Sequence, residues 1–271
     1  MRYLKMTGFI FLYLSVYLIL QIYLSGVAGL FFSIIKLMQD PMITPSEITA
    51  PLLQGTIFIL AISAVVSFLI YWFTFWLRKE NIFRFCKFHK ISVKNIGLVC
   101  VLGVAMVFPV SFIVEVLKID QLSKMTEEAF NMLFKNNNVF VLLLGIGIVG
   151  PIIEEIIFRG LIQNELKRNM NIAAALFIQA LLFGVYHLNL TQAIYAFPLG
   201  LILGLVFLQT GSIWGSILVH IFFNSTSVVL SKIPGESPEF LNSPVSLIIA
   251  FAISIVALIL LTVKSRRREL A

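Results

Sequence analysis

The stretch Gly150-Pro-Ile-Ile-Glu-Glu-Ile-Ile-Phe-Arg159 places two adjacent carboxylates and a guanidinium inside an otherwise apolar run. The chain around it is 59% hydrophobic and 12% charged, with a mean hydropathy of +1.00, so most of it has lipid rather than water as its solvent. A charge inside a membrane helix costs about 3 kcal/mol even on the mildest scale, and it needs a partner or a water-filled cavity. The stretch therefore reads as a functional site, and the rest of the chain is read for what completes it.

Working outward, apolar runs that approach or exceed bilayer length fall near 7–35, 52–77, 96–117 and 139–163, then near 172–188, 193–209, 213–231 and 245–263. In lipid such runs form helices, because the backbone finds no other hydrogen-bond partners. The expected fold is all-α: a polytopic membrane bundle of about eight transmembrane helices. It forms one integral membrane domain over 1–271, with its motif core at about 139–231. The first run is too long for a signal-peptide core and reads as a retained helix. Asp120 to Lys135 reads either as a short interfacial helix or as an ordinary loop.

Basic residues set the expected orientation, since Lys and Arg gather in short cytoplasmic loops. Arg2, Lys5, the loop from Arg78 to Lys94, Lys167, Arg168 and the run from Lys264 to Arg268 all fall at one set of helix ends. Both termini are expected in the cytoplasm. The net charge of +7 then reflects topology and attraction to anionic headgroups, and nucleic-acid binding is not needed to explain it. Cys86 and Cys100 have no metal-site or redox spacing. Tyr71, Trp72 and Trp76 read as an interfacial belt, and Glu115 as a solvated residue near the outer end of its helix.

The polar groups inside the spans converge. If the helices on either side of Met170 form an antiparallel hairpin, Glu154 and His187 lie about 16 and 17 residues from its turn, hence at similar depth. His220 and Glu154 each lie roughly 13 Å from the basic interface at 1.5 Å per residue. Glu155 and Arg159 are i and i+4 and can pair, while Glu154 points about 100° away, toward the bundle interior. Phe183 and His187 are also i and i+4, with Gly184 between them allowing close helix approach. His220 and Asn224 repeat the spacing and put an imidazole and an amide on one face, donors suited to a developing oxyanion. Pro151 is expected to kink its helix just before the glutamates. Tyr186, Asn189 and Gln192 are candidate cavity-lining residues.

At these residues the chain resembles the CPBP intramembrane proteases, also called Abi proteins, which include the CAAX prenyl endopeptidases and bacteriocin-processing or self-immunity proteins. The family pattern EExxxR appears as Glu154-Glu155-Ile-Ile-Phe-Arg159, FxxxH as Phe183-Gly-Val-Tyr-His187, and HxxxN as His220-Ile-Phe-Phe-Asn224. The resemblance covers about 150–230; the remaining helices match only in being hydrophobic. It implies an intramembrane endopeptidase in which Glu154 with His187 activates a water, and His220 with Asn224 stabilises the oxyanion. Glu155, Arg159 and Phe183 are implied as supporting residues.

Glu154, His187 and His220 could also form a zinc set with an open position for water. The metal-free reading is preferred, because no HExxH helix is present and Asn224 is a poor zinc ligand but a good donor. No other cofactor is implied. The alternative class is a non-proteolytic membrane protein: a self-immunity or scaffolding protein, or a transporter using the Glu/His cluster as a proton relay. The expected substrate is a precursor peptide or a membrane-associated protein, entering from the cytoplasmic side. Short loops and the lack of a eukaryotic targeting signal point to a multi-pass protein of a bacterial plasma membrane.

Overall fold

The computed structural model describes residues 1–40, 45–117, 132–135, 137–233 and 243–269, with side chains described for all of these except 45–54 and 264–269. Among them every regular element is helical: α1 (Arg2–Gln39), α2 (Pro45–Leu77), α3 (Ile82–Phe85), α4 (Val93–Val116), α5 (Val139–Lys167), α6 (Ile172–Tyr186), α7 (Leu190–Thr210), α8 (Ile213–Ser231) and α9 (Pro244–Glu269). All but α3 and α6 are long and apolar enough to cross a membrane, which makes seven. The expected eighth span is α6, whose 15 residues rise only about 22 Å at 1.5 Å each. Most of the segment 120–135 read as a possible interfacial helix lies outside the described residues.

Two packed clusters build the bundle. In one, α1, α2 and α5 meet through Tyr13, Tyr71, Phe75, Ile157 and Phe158; in the other, α4, α7, α8 and α9 meet through Leu102, Leu203, Val219 and Leu261. The second half of α5, Ile156–Gln163, is buried all round. Lipid tails are as apolar as leucine, so such helices associate by close packing and by hydrogen bonds between them rather than by hydrophobic burial. Both devices are present. A Cβ added at Gly103 of α4 would stand 2.5 Å from the Val219 carbonyl oxygen of α8. Between helices, Gln163 Nε2 donates to Gly204 O at 3.3 Å, and Gln179 Nε2 and Arg159 Nη2 donate to Gly200 O at 3.0 and 3.2 Å.

Tyr71 does not sit in an interfacial belt. It is fully buried, and its hydroxyl donates to Tyr13 O at 2.7 Å. Tyr71 and Phe75, at i and i+4, face α1, while Trp72 and Trp76 fall on the exposed side of the same helix. The basic residues expected at one interface do meet at one end of the bundle. Arg78 contacts Glu80 at 2.9 Å and Glu165 at 3.2 Å, Arg168 contacts Glu80 at 2.7 Å, and Arg2 Nε donates to Asn169 at 2.7 Å. Cys86 and Cys100 are free; burial pushes the Cys86 thiol up, so it packs as a neutral group against Gly160.

Candidate active site

The backbone of α5 changes register around the glutamates. A π-helical stretch, Leu143–Val149, precedes an α-helical turn, Gly150–Glu155, and a second π-helical stretch, Ile156–Gln163, follows it. Such interruptions concentrate at functional sites. Pro151 explains part of the pattern. The Gly150 N–H reaches back five residues to Gly145 O, and the next donor in that register would be Pro151, which has no N–H. The carbonyl left over is that of Ile146. Asn224 Nδ2 of α8 donates to it at 3.0 Å, and Ser225 Oγ donates to the adjacent Gly147 O at 3.4 Å. The proline thus opens the helix just before the glutamates, and α8 closes the gap.

Glu155 and Arg159 form a fully buried pair, with Nη1 to Oε1 at 2.6 Å and both side chains 0% exposed. The guanidinium also lies 4.4 Å from the centroid of the Phe183 ring. The same Oε1 accepts from His220 Nδ1 at 2.9 Å. Because a carboxylate only accepts, Nδ1 carries the proton in that contact. The other ring nitrogen, Nε2, then faces Glu154 Oε2 at 3.6 Å, beyond the range of a direct hydrogen bond. Glu154 is 23% exposed, in contrast to its buried neighbour. Adjacent positions on one helix have produced an anchored carboxylate and an accessible one.

His187 is placed by the end of α6. Leu188 adopts φ +53 and Asn189 caps α7, its side chain accepting from Thr191 N at 2.9 Å, so the chain turns just after the imidazole. The Phe183 carbonyl, near the helix end, accepts from His187 Nδ1 at 2.8 Å. That bond fixes the tautomer, because a carbonyl cannot donate. A neutral His187 therefore keeps its Nε2 lone pair for another partner. Gly184 allows the turn to be tight: a Cβ there would be 3.0 Å from Ala193 O of α7. Phe183 packs edge-on against both imidazoles, at 5.0 Å from His187 and 5.8 Å from His220 between ring centroids.

Glu154, His187, His220 and Asn224 all line one cavity of about 770 Å³. Of the two imidazoles expected at the depth of Glu154, the one in ion-pair range of it is that of His220. Gln192 also lines the cavity; Asn189 is instead a helix cap, and Tyr186 stacks on Tyr17 with centroids 6.5 Å apart, its hydroxyl buried without a hydrogen-bond partner among the described residues. Tyr195 and Ser227 also line the cavity and are not among the residues expected there. Their signal was present: Gln192 and Tyr195 are i and i+3, and His220, Asn224 and Ser227 are i, i+4 and i+7 on one helical stripe. The cavity runs from Glu154 past Glu115 of α4 to Ser231 of α8, toward the helix ends remote from the loop between Arg78 and Lys94. Among the described residues the cavity lining thus extends away from the basic end, from which entry is expected above.

Among the described residues no three His, Cys, Asp or Glu side chains stand close enough together to hold a metal ion. One nitrogen of His187 is committed to a carbonyl and one of His220 to Glu155.

The comparisons with known proteins fall on this same region. Residues 136–226 match the family model described as type II CAAX prenyl endopeptidase Rce1-like. The Bacillus subtilis (strain 168) protein named "Putative membrane peptidase YdiL" is 33% identical over 87 residues, which is 32% of this chain and 36% of that protein. The aligned part is thus little more than a third of the relative's length. No solved structure matches the chain significantly. The glutamate pair, His187, His220 and Asn224 all lie inside the matched segment, and it is through residues 136–226 that the chain is similar to the CPBP/CAAX protease family.

Proposed function

We propose that the protein is an intramembrane endopeptidase that uses Glu154 to activate a water for attack on a peptide bond. The observation that carries this reading is the contrast between the two glutamates: Glu155 is locked between Arg159 and His220, while Glu154 is partly exposed on a cavity shared with His187, His220 and Asn224. A general base must reach the proton it removes, and Glu154 is the carboxylate of the pair that reaches solvent.

In this mechanism Glu154 takes a proton from the water, and His187 accepts the water's second hydrogen at Nε2. Attack on the scissile carbonyl builds negative charge on its oxygen. His220 donates to that oxygen once Nε2 has received a proton by way of Glu154, and its imidazolium is then balanced by Glu155. Asn224 offers its second Nδ2 hydrogen, the first being held by Ile146 O. The tetrahedral intermediate then collapses, its C–N bond breaks, and the leaving amine takes up the proton that Glu154 drew from the water and passed to His220. No metal enters these steps. The substrate is a peptide or a membrane-associated segment, the cavity walls being mostly apolar away from the four polar residues. The charge pattern favours a multi-pass location in a bacterial plasma membrane with both termini cytoplasmic.

The test is cleavage of a pool of candidate peptides and membrane proteins by the purified protein in lipid, with and without chelator. Cleavage that survives chelation and is lost in Glu154→Ala supports the reading. Cleavage abolished by chelator and restored by zinc would move Glu154, His187 and His220 into a metal site, and the absence of cleavage throughout would favour an immunity or relay role.

A further inference from the structure

At the basic end of the bundle a second cavity, of about 690 Å³, opens between the α2–α4 connection and the end of α5. It is unrelated to the site above. Lys79, Arg84, Lys87, Lys167 and Arg168 line it, and Glu80 is the one carboxylate in its wall. Glu80 is already committed, to Arg168 at 2.7 Å and Arg78 at 2.9 Å. Lys79, Arg84, Lys87 and Lys167 make no ion pair among the described residues. Lys87 and Lys167, both half-buried, repel each other across the cavity. A concave surface that gathers four uncompensated cations lacks a counter-charge, and an anion supplies it.

The backbone agrees with a role for the side chains. Lys79 and Lys87 hold φ of +55 and +57 in the loop that forms the wall. A left-handed conformation strains a side-chain-bearing residue and costs glycine almost nothing. Lysine stands at both positions.

The location identifies the source of the anion. The apolar spans Gly55–Leu77 and Val139–Lys167 end at the cavity, so it lies at the boundary between hydrocarbon and water. Trp76, Leu77 and Phe83 beside it are 63%, 62% and 48% exposed, an apolar apron for acyl chains. Phosphates of lipid headgroups occupy that level, and basic pockets at helix ends recognise them. We infer that this cavity binds the phosphate of an anionic phospholipid headgroup and thereby ties the α2–α4 loop to the end of α5, the helix that carries Glu154.

The experiment compares the full-length protein, purified in a neutral detergent, with a Lys79→Gln/Arg84→Gln/Lys87→Gln/Lys167→Gln variant and with a control, Lys90→Gln/Lys94→Gln, whose positions do not line the cavity. The readouts are the thermal unfolding midpoint and lipid retention by native mass spectrometry, with phosphatidylglycerol, phosphatidylcholine or inorganic phosphate added. Phosphatidylglycerol is expected to raise the midpoint of the wild type and the control, and phosphatidylcholine to leave it unchanged. Retention should weaken about fivefold for each cation removed. The fourfold variant should unfold no earlier than wild type without lipid, since the removed cations repel one another; Arg84→Gln alone provides a milder variant. An equal lipid shift in the fourfold variant would overturn the proposal. So would a full shift from inorganic phosphate, which would make the ligand a free anion.

Discussion

A glutamate can be a ligand, a base or an anchor, and neighbouring positions 154 and 155 show what decides between them. One side chain finds an arginine one turn away and a histidine on α8 and is sealed from solvent; the other reaches the cavity. Breaking the sealed pair from one side leaves a buried charge without compensation, which costs about 3–5 kcal/mol, whereas neutralising both partners costs far less. Arg159→Met is therefore expected to lower the thermal unfolding midpoint steeply, and Arg159→Met/Glu155→Gln to recover most of the loss. Equal destabilisation in the single and double variants would show that packing around Arg159, rather than charge, is what matters. The glutamates, the histidines and Asn224 were legible in the sequence because charged and amide groups stand out in apolar runs. The partner chosen by each imidazole was not. A depth count brings both imidazoles to the level of Glu154 but treats every helix as straight and of full length; here α6 stops at Tyr186 and α5 changes register twice, and it is His220 that stands 3.6 Å from Glu154.

At the scale of elements, the site depends on how closely α4, α5 and α8 approach. Gly103 is where α4 meets α8: an added Cβ would lie 2.5 Å from the Val219 carbonyl oxygen and 2.8 Å from Phe222 Cβ. A backbone oxygen cannot swing aside as a long side chain does, so Gly103→Ala is expected to push the helices apart at a cost of about 1–3 kcal/mol. Its midpoint should fall well below that of Gly97→Ala on the same helix, where nothing lies within 4 Å of the added carbon; equal midpoints would contradict the close-packing account. The helical type, and seven of the eight expected spans, followed from hydropathy alone, because lipid permits little else; the shortness of α6 did not. Pro151 advertised a break, but that Asn224 and Ser225 would cover the exposed carbonyls depends on the docking of α8, which no local pattern encodes. Asn224 thus has a structural task beside its proposed chemical one.

The whole molecule is divided along its length, with an ion-pair network at the basic end and the polar cavity toward the other. Burial by itself pushes the Glu80 carboxyl up, but hydrogen bonds from Arg168 and Arg78 outweigh it and hold the group below the ordinary carboxylate range. A carboxyl with a depressed folded-state value contributes stability that is fully present above its unfolded value and lost as pH falls through the folded one. Acidification below about pH 4.5 should accordingly lower the unfolding midpoint of wild type more than that of Glu80→Gln; identical pH profiles would remove Glu80 from the network. The cavity's direction makes a second prediction. In a background lacking Cys100, Glu115→Cys in intact cells should react with a membrane-impermeant thiol reagent from outside, while Lys90→Cys should not. The reverse pattern would invert the orientation read from the basic loops. The basic loops gave the polarity of the bundle in the sequence, but the direction in which the cavity extends required knowing which halves of α4, α7 and α8 line it. The claim on which the functional account rests is that Glu154 performs the chemistry, and the direct measurement is cleavage in lipid by wild type and by Glu154→Gln of confirmed native unfolding midpoint. A fall of roughly 10²-fold or more, the usual contribution of a general base, is the predicted result; cleavage undiminished in the variant would contradict it.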